Sequence, residues 1–222
     1  MSIKIDLFIN QRTQGNSYVV SNKKDCYVVD PGGYDMSAVI KYITESKLDL
    51  KGILITHGHF DHIIGIPEII NYKKIPVYIG ENDFEFLYDS TLSLSLWSDM
   101  DFTLSKDIEV IKLKENDEVF GFKVINTPGH THGGICFYNI DEKVMFSGDT
   151  IFKMSHGRTD LPTGNMKELE QTLEELFKLN PSILIYPGHG GTTTIGAEKE
   201  NSFFGFYKIV KKRNPHNILW GF

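Results

Sequence analysis

Cysteine is nearly absent: the chain holds two, Cys26 and Cys136, in separate apolar runs with no CxxC pair. Both read as reduced core residues, which argues against a disulfide framework and fits a cytosolic chain. There is no run of 18 apolar residues, and Met1 is followed by "SIKIDLFIN", too polar for a signal peptide. The expected location is therefore the cytoplasm, with no membrane contact. Basic charge is not in excess either. The net charge of −6 gives no general electrostatic reason to bind nucleic acid. No GxSxG motif occurs, so a serine nucleophile on a strand-to-helix elbow is not expected. Repeats, low-complexity stretches and long linkers are also missing.

What is present is an ordinary globular composition, 41% hydrophobic and 23% charged, in 222 residues, enough to bury a sizeable core in one large domain or two small ones. "IKIDLFI", "NSYVVS" and "DCYVVD" read as three short strands, the last broken by "DPGG" at 30–33. "DMSAVIKYITESK" has a helical period, with Asp35 as the expected N-cap. "GILIT" (52–56) is continuously apolar, as in a strand covered on both faces. A helix interrupted early by Pro67, a strand "PVYIG" and a short helix "ENDFEFLY" follow. Residues 90–106 show no clean period and read as an irregular lid or insert. Beyond 108 come "IEVIKL", "EVFGFKVINTPGH", "GICFYNI" and "KVMFSGD", with a hairpin turn at Asp141-Glu142. "NMKELEQTLEELFKL" is a helix capped by Asn165 and stopped by Pro181, "SILIYPGHGG" a last strand, and "EKENSFFGFYKIVKKR" a C-terminal helix. Strands and helices, then strands and helices again, suggest two similar β/α halves.

Four pieces line up at the ends of apolar strands: "HGHFDH" (57–62), "TPGH" (127–130), "SGDT" (147–150) and "PGHG" (187–190). Loops at one edge of a sheet converge, and α/β proteins place ligands there. Imidazole and carboxylate are the usual ligands of zinc and related metals. A lone histidine near a strand end is normally a hydrogen-bonded loop residue. Three within six positions have no comparable packing explanation. The spacing therefore predicts metal ligation by His57, His59, Asp61, His62, His130, Asp149 and His189.

The HxHxDH signature, joined in order by the later His, Asp and His, resembles the metallo-β-lactamase-fold hydrolases over essentially the whole chain, most closely their small glyoxalase II-like branch. The resemblance implies an α/β fold (α+β by some schemes), an αββα sandwich of two mixed sheets flanked by helices, as a single domain over 1–222. It implies that His57, His59 and His130 hold one metal, that Asp61, His62 and His189 hold a second, and that Asp149 bridges them. Two divalent ions are expected, zinc first, with iron or manganese as alternatives. Zinc β-lactamases typically carry cysteine at the position of Asp149, so antibiotic hydrolysis is not expected. Flavo-diiron reductases usually have glutamate at the position of His59.

The implied chemistry is hydrolysis of a small-molecule substrate, an acyl thioester. A metal-bound hydroxide attacks the carbonyl, and Asp61 and Asp149 act as the catalytic carboxylates. The helical domain that supplies glutathione contacts in full-length glyoxalase II is not expected in the short stretch after His189, and no oligomeric partner is specified. A mononuclear iron persulfide dioxygenase and a lactone hydrolase are the alternatives. "HGRTDLPTGN" (156–165) reads in two ways: Arg158 meets a substrate carboxylate, or it pairs with Asp160 to brace the loop after Asp149. Thr192 to Thr194 read as helix-start and supporting residues. His132 and His156 read as pocket neighbours rather than ligands, His216 as a surface residue, and Phe60, Trp97 and Phe102 as packing residues.

Overall fold

The computed structural model describes residues 3–98 and 101–201. Six strands form a first sheet in sequence order: β1 (Lys4–Ile9), β2 (Asn16–Asn22), β3 (Asp25–Val29), β4 (Asp49–Ile55), β5 (Val77–Gly80) and β6 (Val110–Leu113). β1 to β3 pair antiparallel, whereas β3 to β6 run parallel. The second half supplies β7 (Glu118–Val119), β8 (Phe122–Asn126), β9 (Ile135–Asn139) and β10 (Val144–Gly148), a small hairpin of β11 (Ile151–Phe152) and β12 (Ser155–His156), then β13 (Leu184–Pro187) and β14 (Thr193–Thr194). The second sheet runs β14-β13-β10-β9-β8-β7, with only β10 and β13 parallel. Both sheets are mixed, as expected.

Three buried clusters order the layers. β4 shows why its sequence is continuously apolar. Ile53 and Ile55 face α1 (Ser37–Glu45) and α3 (Ile66–Tyr72), joining Val39, Ile43 and Ile69 in one cluster. Leu54 points the other way, into a cluster with Tyr18, Phe122, Phe137 and Phe146 between the sheets. Successive strand residues face opposite sides, so a strand buried on both sides shows no polar alternation. In the second sheet Phe137 and Phe146 face the intersheet layer. Cys136 and Met145 instead pack on Leu169, Leu173 and Leu176 of α4 (Met166–Leu176). The four layers are helix, sheet, sheet, helix.

Most local expectations hold, with informative shifts. Asn165 caps α4 through hydrogen bonds from the Lys167 and Glu168 N–H groups. The α1 N-cap is Met36 rather than Asp35. Glu68 takes the Met36 N–H at 2.8 Å and Asp35 takes the Ser37 N–H at 2.8 Å, so two carboxylates share the first-turn donors. Pro67 starts α3 and separates it from the single turn α2 (Phe60–Ile63). "ENDFEFLY" is a 3₁₀ helix, and the described part of 90–106 is irregular apart from a 3₁₀ turn at Ser95–Ser98. Trp97 is not a packing residue. At 67% exposure it stands in solvent, because the buried Ser93 and Ser95 hydroxyls anchor that turn instead. Phe102 does pack against the first cluster, and Phe60 is half-buried. α5 (Ile195–Asn201) overlaps the start of the expected C-terminal helix; the remainder of that expected segment and His216 lie outside the described residues. Thr193 and Thr194 form β14, and Thr194 Oγ1 accepts the Ala197 N–H, a helix-start contact as expected.

Phe146 is 1% exposed and meets the rings of Tyr18, Phe122 and Tyr186. Phe146→Ala should therefore destabilise the protein by about 3–5 kcal/mol in denaturant unfolding. Ile140→Ser, at a side chain 69% exposed, should shift stability by no more than about 0.5 kcal/mol. Equal effects would contradict the layer assignment.

Candidate metal centre

β3, β4, β10 and β13 all end at the same edge of the two sheets, and so does the segment after β8. The β4 end carries His57, and His59 caps the α2 turn that holds Asp61 and His62. His130 follows β8, Asp149 follows β10 and His189 follows β13. The first group brought together is His57, His59 and His130; the second is His57, His62 and Asp149; the third is Asp61, His62 and His189. Within each group the donor atoms lie within 4.8 Å of one another. All seven side chains expected at the site meet there.

A carboxylate that the sequence reading treated only as part of a strand break organises the donors. Asp30, buried at the end of β3, accepts the Thr56 N–H at 2.8 Å, the Thr56 hydroxyl at 2.6 Å and His62 Nδ1–H at 3.0 Å. With its own proton committed to Asp30, Thr56 Oγ1 accepts from His57 Nδ1 at 3.2 Å. One carboxylate thus fixes two imidazoles so that their Nε2 lone pairs face the cluster. His130 Nδ1 donates to the Arg158 carbonyl at 2.7 Å, and His189 Nδ1 donates to the Gln14 carbonyl at 3.1 Å. A second missed carboxylate, Asp83, is fully buried and accepts from Gly58 N–H, Thr131 Oγ1–H and Gly133 N–H. It clamps the His57–His59 loop to the segment after His130. The signal for Asp30 was present, since it too sits at the end of an apolar strand. Asp83 had none, because its partners are up to 50 residues away in the chain.

The centre of the cluster is left unsatisfied. His57 Nε2, His59 Nε2, His62 Nε2 and Asp149 Oδ1 are buried with no hydrogen-bond partner. His59 Nδ1 and His130 Nε2 face each other at 2.9 Å. Asp149 reaches to 3.4 Å of His62 Nε2 and 3.7 Å of both His130 Nε2 and His189 Nε2. Buried unpaired polar atoms are costly, at about 1–3 kcal/mol each, and native folds avoid them. His57, His62 and Asp149 form one of the close donor groups, and unpartnered donors brought together in this way fit a divalent cation; His59 turns its Nδ1, not its Nε2, toward His130. Gly188 leaves the room: a Cβ there would come within 2.2 Å of Asp149 Oδ1 and 2.6 Å of His62 Cε1.

Electrostatics divides the cluster. Burial, reinforced by neighbouring histidines, holds His57 far below its usual pKa, and burial with His130 beside it takes His59 to about 3. Burial opposes charge on His62 as well, but the Asp149, Asp30 and Asp61 carboxylates outweigh it and push its pKa well up. His189 is raised against burial by Asp61 and Asp149. Without a cation, the two carboxylates of the cluster hold protons on the neighbouring imidazoles.

The profile of the Metallo-beta-lactamase superfamily matches residues 10–189. The chain belongs to the metallo-beta-lactamase superfamily. It is 32% identical to hydroxyacylglutathione hydrolase GloC of Haemophilus influenzae over 200 residues, 86% of this chain and 92% of that protein. Among solved structures, BLEG-1 B3 metallo-beta-lactamase superposes with a TM-score of 0.84 at 32% identity, covering 91% of this chain and 99% of that one. TTHA1623, in a di-iron-bound form, gives 0.81 at 31% identity, covering 90% and 99%. The αββα sandwich and the superfamily implied by HxHxDH are both correct.

The remaining expected residues fall outside the cluster. Arg158 Nε and Nη2 both donate to Asp160 at 2.7 Å, an ion pair 64% and 68% exposed. His132 is exposed, its N–H bonded to Thr163, and His156 Nδ1 lies 2.8 Å from the Gly157 carbonyl. Among the described residues no helix is long and apolar enough to cross a membrane.

Two outcomes test this centre. Asp30→Asn keeps the size of the side chain but removes the carboxylate that His57 and His62 depend on. It should weaken zinc or iron binding by about 10–100-fold in a chelator competition; unchanged affinity would remove Asp30 from the support. Second, with raised pKa values on His62 and His189, metal uptake must displace protons. The sign follows: affinity falls as pH drops, and loading at neutral pH in weak buffer releases protons. Uptake without proton release would contradict the charge assignment.

Proposed function

We propose that the protein is a dinuclear metal-dependent hydrolase of acyl thioesters, with two divalent ions, zinc first. Superfamily membership supports a metal-dependent hydrolase acting on a small molecule. The observation that carries the dinuclear reading is the position of Asp149. Its carboxylate lies between His130 and His189, within 3.7 Å of a nitrogen on each side. His57, His59 and His130 would hold one ion, Asp61, His62 and His189 the other, and Asp149 both. Ions held there supply Lewis acidity and bring water toward ionisation near neutral pH.

The protein's own groups do the rest. Asp61, one-fifth exposed with Oδ2 3.2 Å from His189 Nε2, orients the attacking water and takes its proton. Asp149, more enclosed at 12% exposure, fixes the position of that water against the carbonyl carbon. A carbon–oxygen bond forms, the carbon–sulfur bond breaks, and the thiolate leaves. No serine or cysteine nucleophile is needed: Cys136 is buried and its thiol is pushed up to about 12, chiefly by burial. The GloC resemblance supports a thioester. Arg158 takes the bracing role in this reading, because both arms of its fork are occupied by Asp160 and its carbonyl orients His130.

The test is elemental analysis after gentle purification, with anaerobic turnover of a lactoyl thioester. About two metal ions per chain and cleavage without oxygen are expected. Asp61→Ala should lower turnover by about 10²–10⁴-fold and lose one ion while the fold survives. One iron per chain, with oxygen consumed on adding a persulfide and no thioester cleavage, would replace this reading with a dioxygenase. Preferential opening of a β-lactam, suggested by the name of BLEG-1, would replace it with a lactamase.

A further inference from the structure

The sequence contains three arginines, Arg12, Arg158 and Arg213, and Arg213 lies outside the described residues. Arg158 is spent on Asp160. Arg12 is different. It stands at the tip of the hairpin between β1 and β2, and its guanidinium carbon lies 5.2 Å from the centre of the Tyr34 ring. It forms no ion pair among the described residues. A guanidinium held beside an aromatic ring can still present its N–H edges to a planar anion through two parallel hydrogen bonds.

Beside it opens a cavity of about 470 Å³ whose lining includes Phe8, Ala38, Val39, Arg12, Tyr34 and Asp35. None of the cluster residues lines this cavity, but the hairpin that carries Arg12 also touches the cluster. On the same hairpin, Gln14 accepts from His189 through its carbonyl, and Thr13 Oγ1 donates to the Gly32 carbonyl at 3.1 Å. Gly32 in turn is pressed so closely on Asp61 that a Cβ there would lie 1.5 Å from the Asp61 carbonyl oxygen. A substrate whose reacting carbon sits at Asp61 and Asp149 has this cavity as a neighbouring space for its carrier. Its lining mixes apolar side chains with amides and one cation, Arg12, which suits a chain of methylene and amide units ending in an anion.

We propose that Arg12, backed by Tyr34, recognises a carboxylate on the thiol carrier of the substrate, and that this cavity holds the carrier. The inference rests on the thioester reading above and names its substrate class: thioesters of a carboxylate-bearing thiol. Asp35 selects among anions. It is exposed and lines the same cavity, with one oxygen taken by the Ser37 N–H, and its charge disfavours a multiply charged phosphate more than a single carboxylate.

The experiment compares lactoylglutathione, whose carrier is anionic, with the lactoyl thioester of neutral N-acetylcysteamine. Arg12→Gln should raise the ratio of the two KM values by about ten-fold, the scale of one exposed charge-assisted bidentate contact. Arg12→Lys should restore part of it, and Tyr34→Leu should raise it less than Arg12→Gln. Arg158→Gln should leave the ratio unchanged while altering both substrates alike. A ratio that does not move in Arg12→Gln, or moves with Arg158 instead, overturns the assignment. So does an Arg12 dependence found with coenzyme A thioesters and absent with glutathione thioesters. If the loaded wild-type protein cleaves neither lactoyl substrate, the thioester reading fails separately, and calorimetry with the uncleavable S-methylglutathione decides the Arg12 site. About ten-fold weaker binding in Arg12→Gln supports it, and equal binding or none overturns it.

Discussion

The Asp30 carboxylate is the interaction on which the cluster depends. A fully desolvated carboxylate is tolerated only when its lone pairs are filled, and Asp30 fills them from β4 and α2 with a backbone amide, a hydroxyl and an imidazole. Its backbone has a φ of +48°, a left-handed conformation that aspartate accepts more readily than most residues. The strand therefore turns sharply just where its last side chain must point across to β4. Through Thr56 and His62 that single group sets the orientation of two imidazoles. Their free nitrogens then have no direction to face except inward.

The donors come from both sheets, so the centre needs the sheets locked together at one end. Three backbone links do this. Ile135 donates to the Thr56 carbonyl at 2.9 Å, Asn16 donates to the Gly188 carbonyl at 2.7 Å, and Gly15 bridges to His189. The Asn16 side chain adds bonds to the Pro187 and Gly190 carbonyls. The intersheet aromatic layer sets the separation, while these polar links set the register at the rim. A shift of one residue in either sheet would turn the ligand-bearing ends away from each other.

Much of this was legible in the chain. Period and turn residues located the longer strands, though they merged β7 with β8 and missed β11, β12 and β14, and the strand-end position of four histidine- or aspartate-bearing loops placed the seven donors at one edge. HxHxDH then named the superfamily. What was hidden shares one physical character: it is non-local. Asp83 sits in a segment that reads as an ordinary short helix, and only folding brings Thr131 and Gly133 to it. Gln14 contributes a carbonyl, which side-chain identity does not report. Met36 replaced Asp35 as the N-cap because Glu68, in a different helix, competes for the same first turn. Trp97 looked like a packing residue because local hydrophobicity does not reveal that buried serines already anchor its turn.

The contrast between rim and centre also explains why the cluster reads as a site and not as core. Around it, almost every polar group is paired: Asp30 and Asp83 each take three hydrogen bonds, and His130 and His189 are each held by a carbonyl. Within the site's residues, four buried atoms on His57, His59, His62 and Asp149 are left without hydrogen-bond partners. A core optimised for stability alone would replace such atoms with apolar groups of similar size, since unpaired burial costs more than it returns. The chain instead supports the imidazoles with a bonded shell, leaves His57 Nε2 unpaired and sets the Asp149 carboxylate only 3.4 Å from His62 Nε2, a combination that lowers stability until a cation fills it. The cost at the centre and the rigidity around it are two sides of one arrangement: the donors must be unsatisfied to bind, and held firmly to bind in the right geometry.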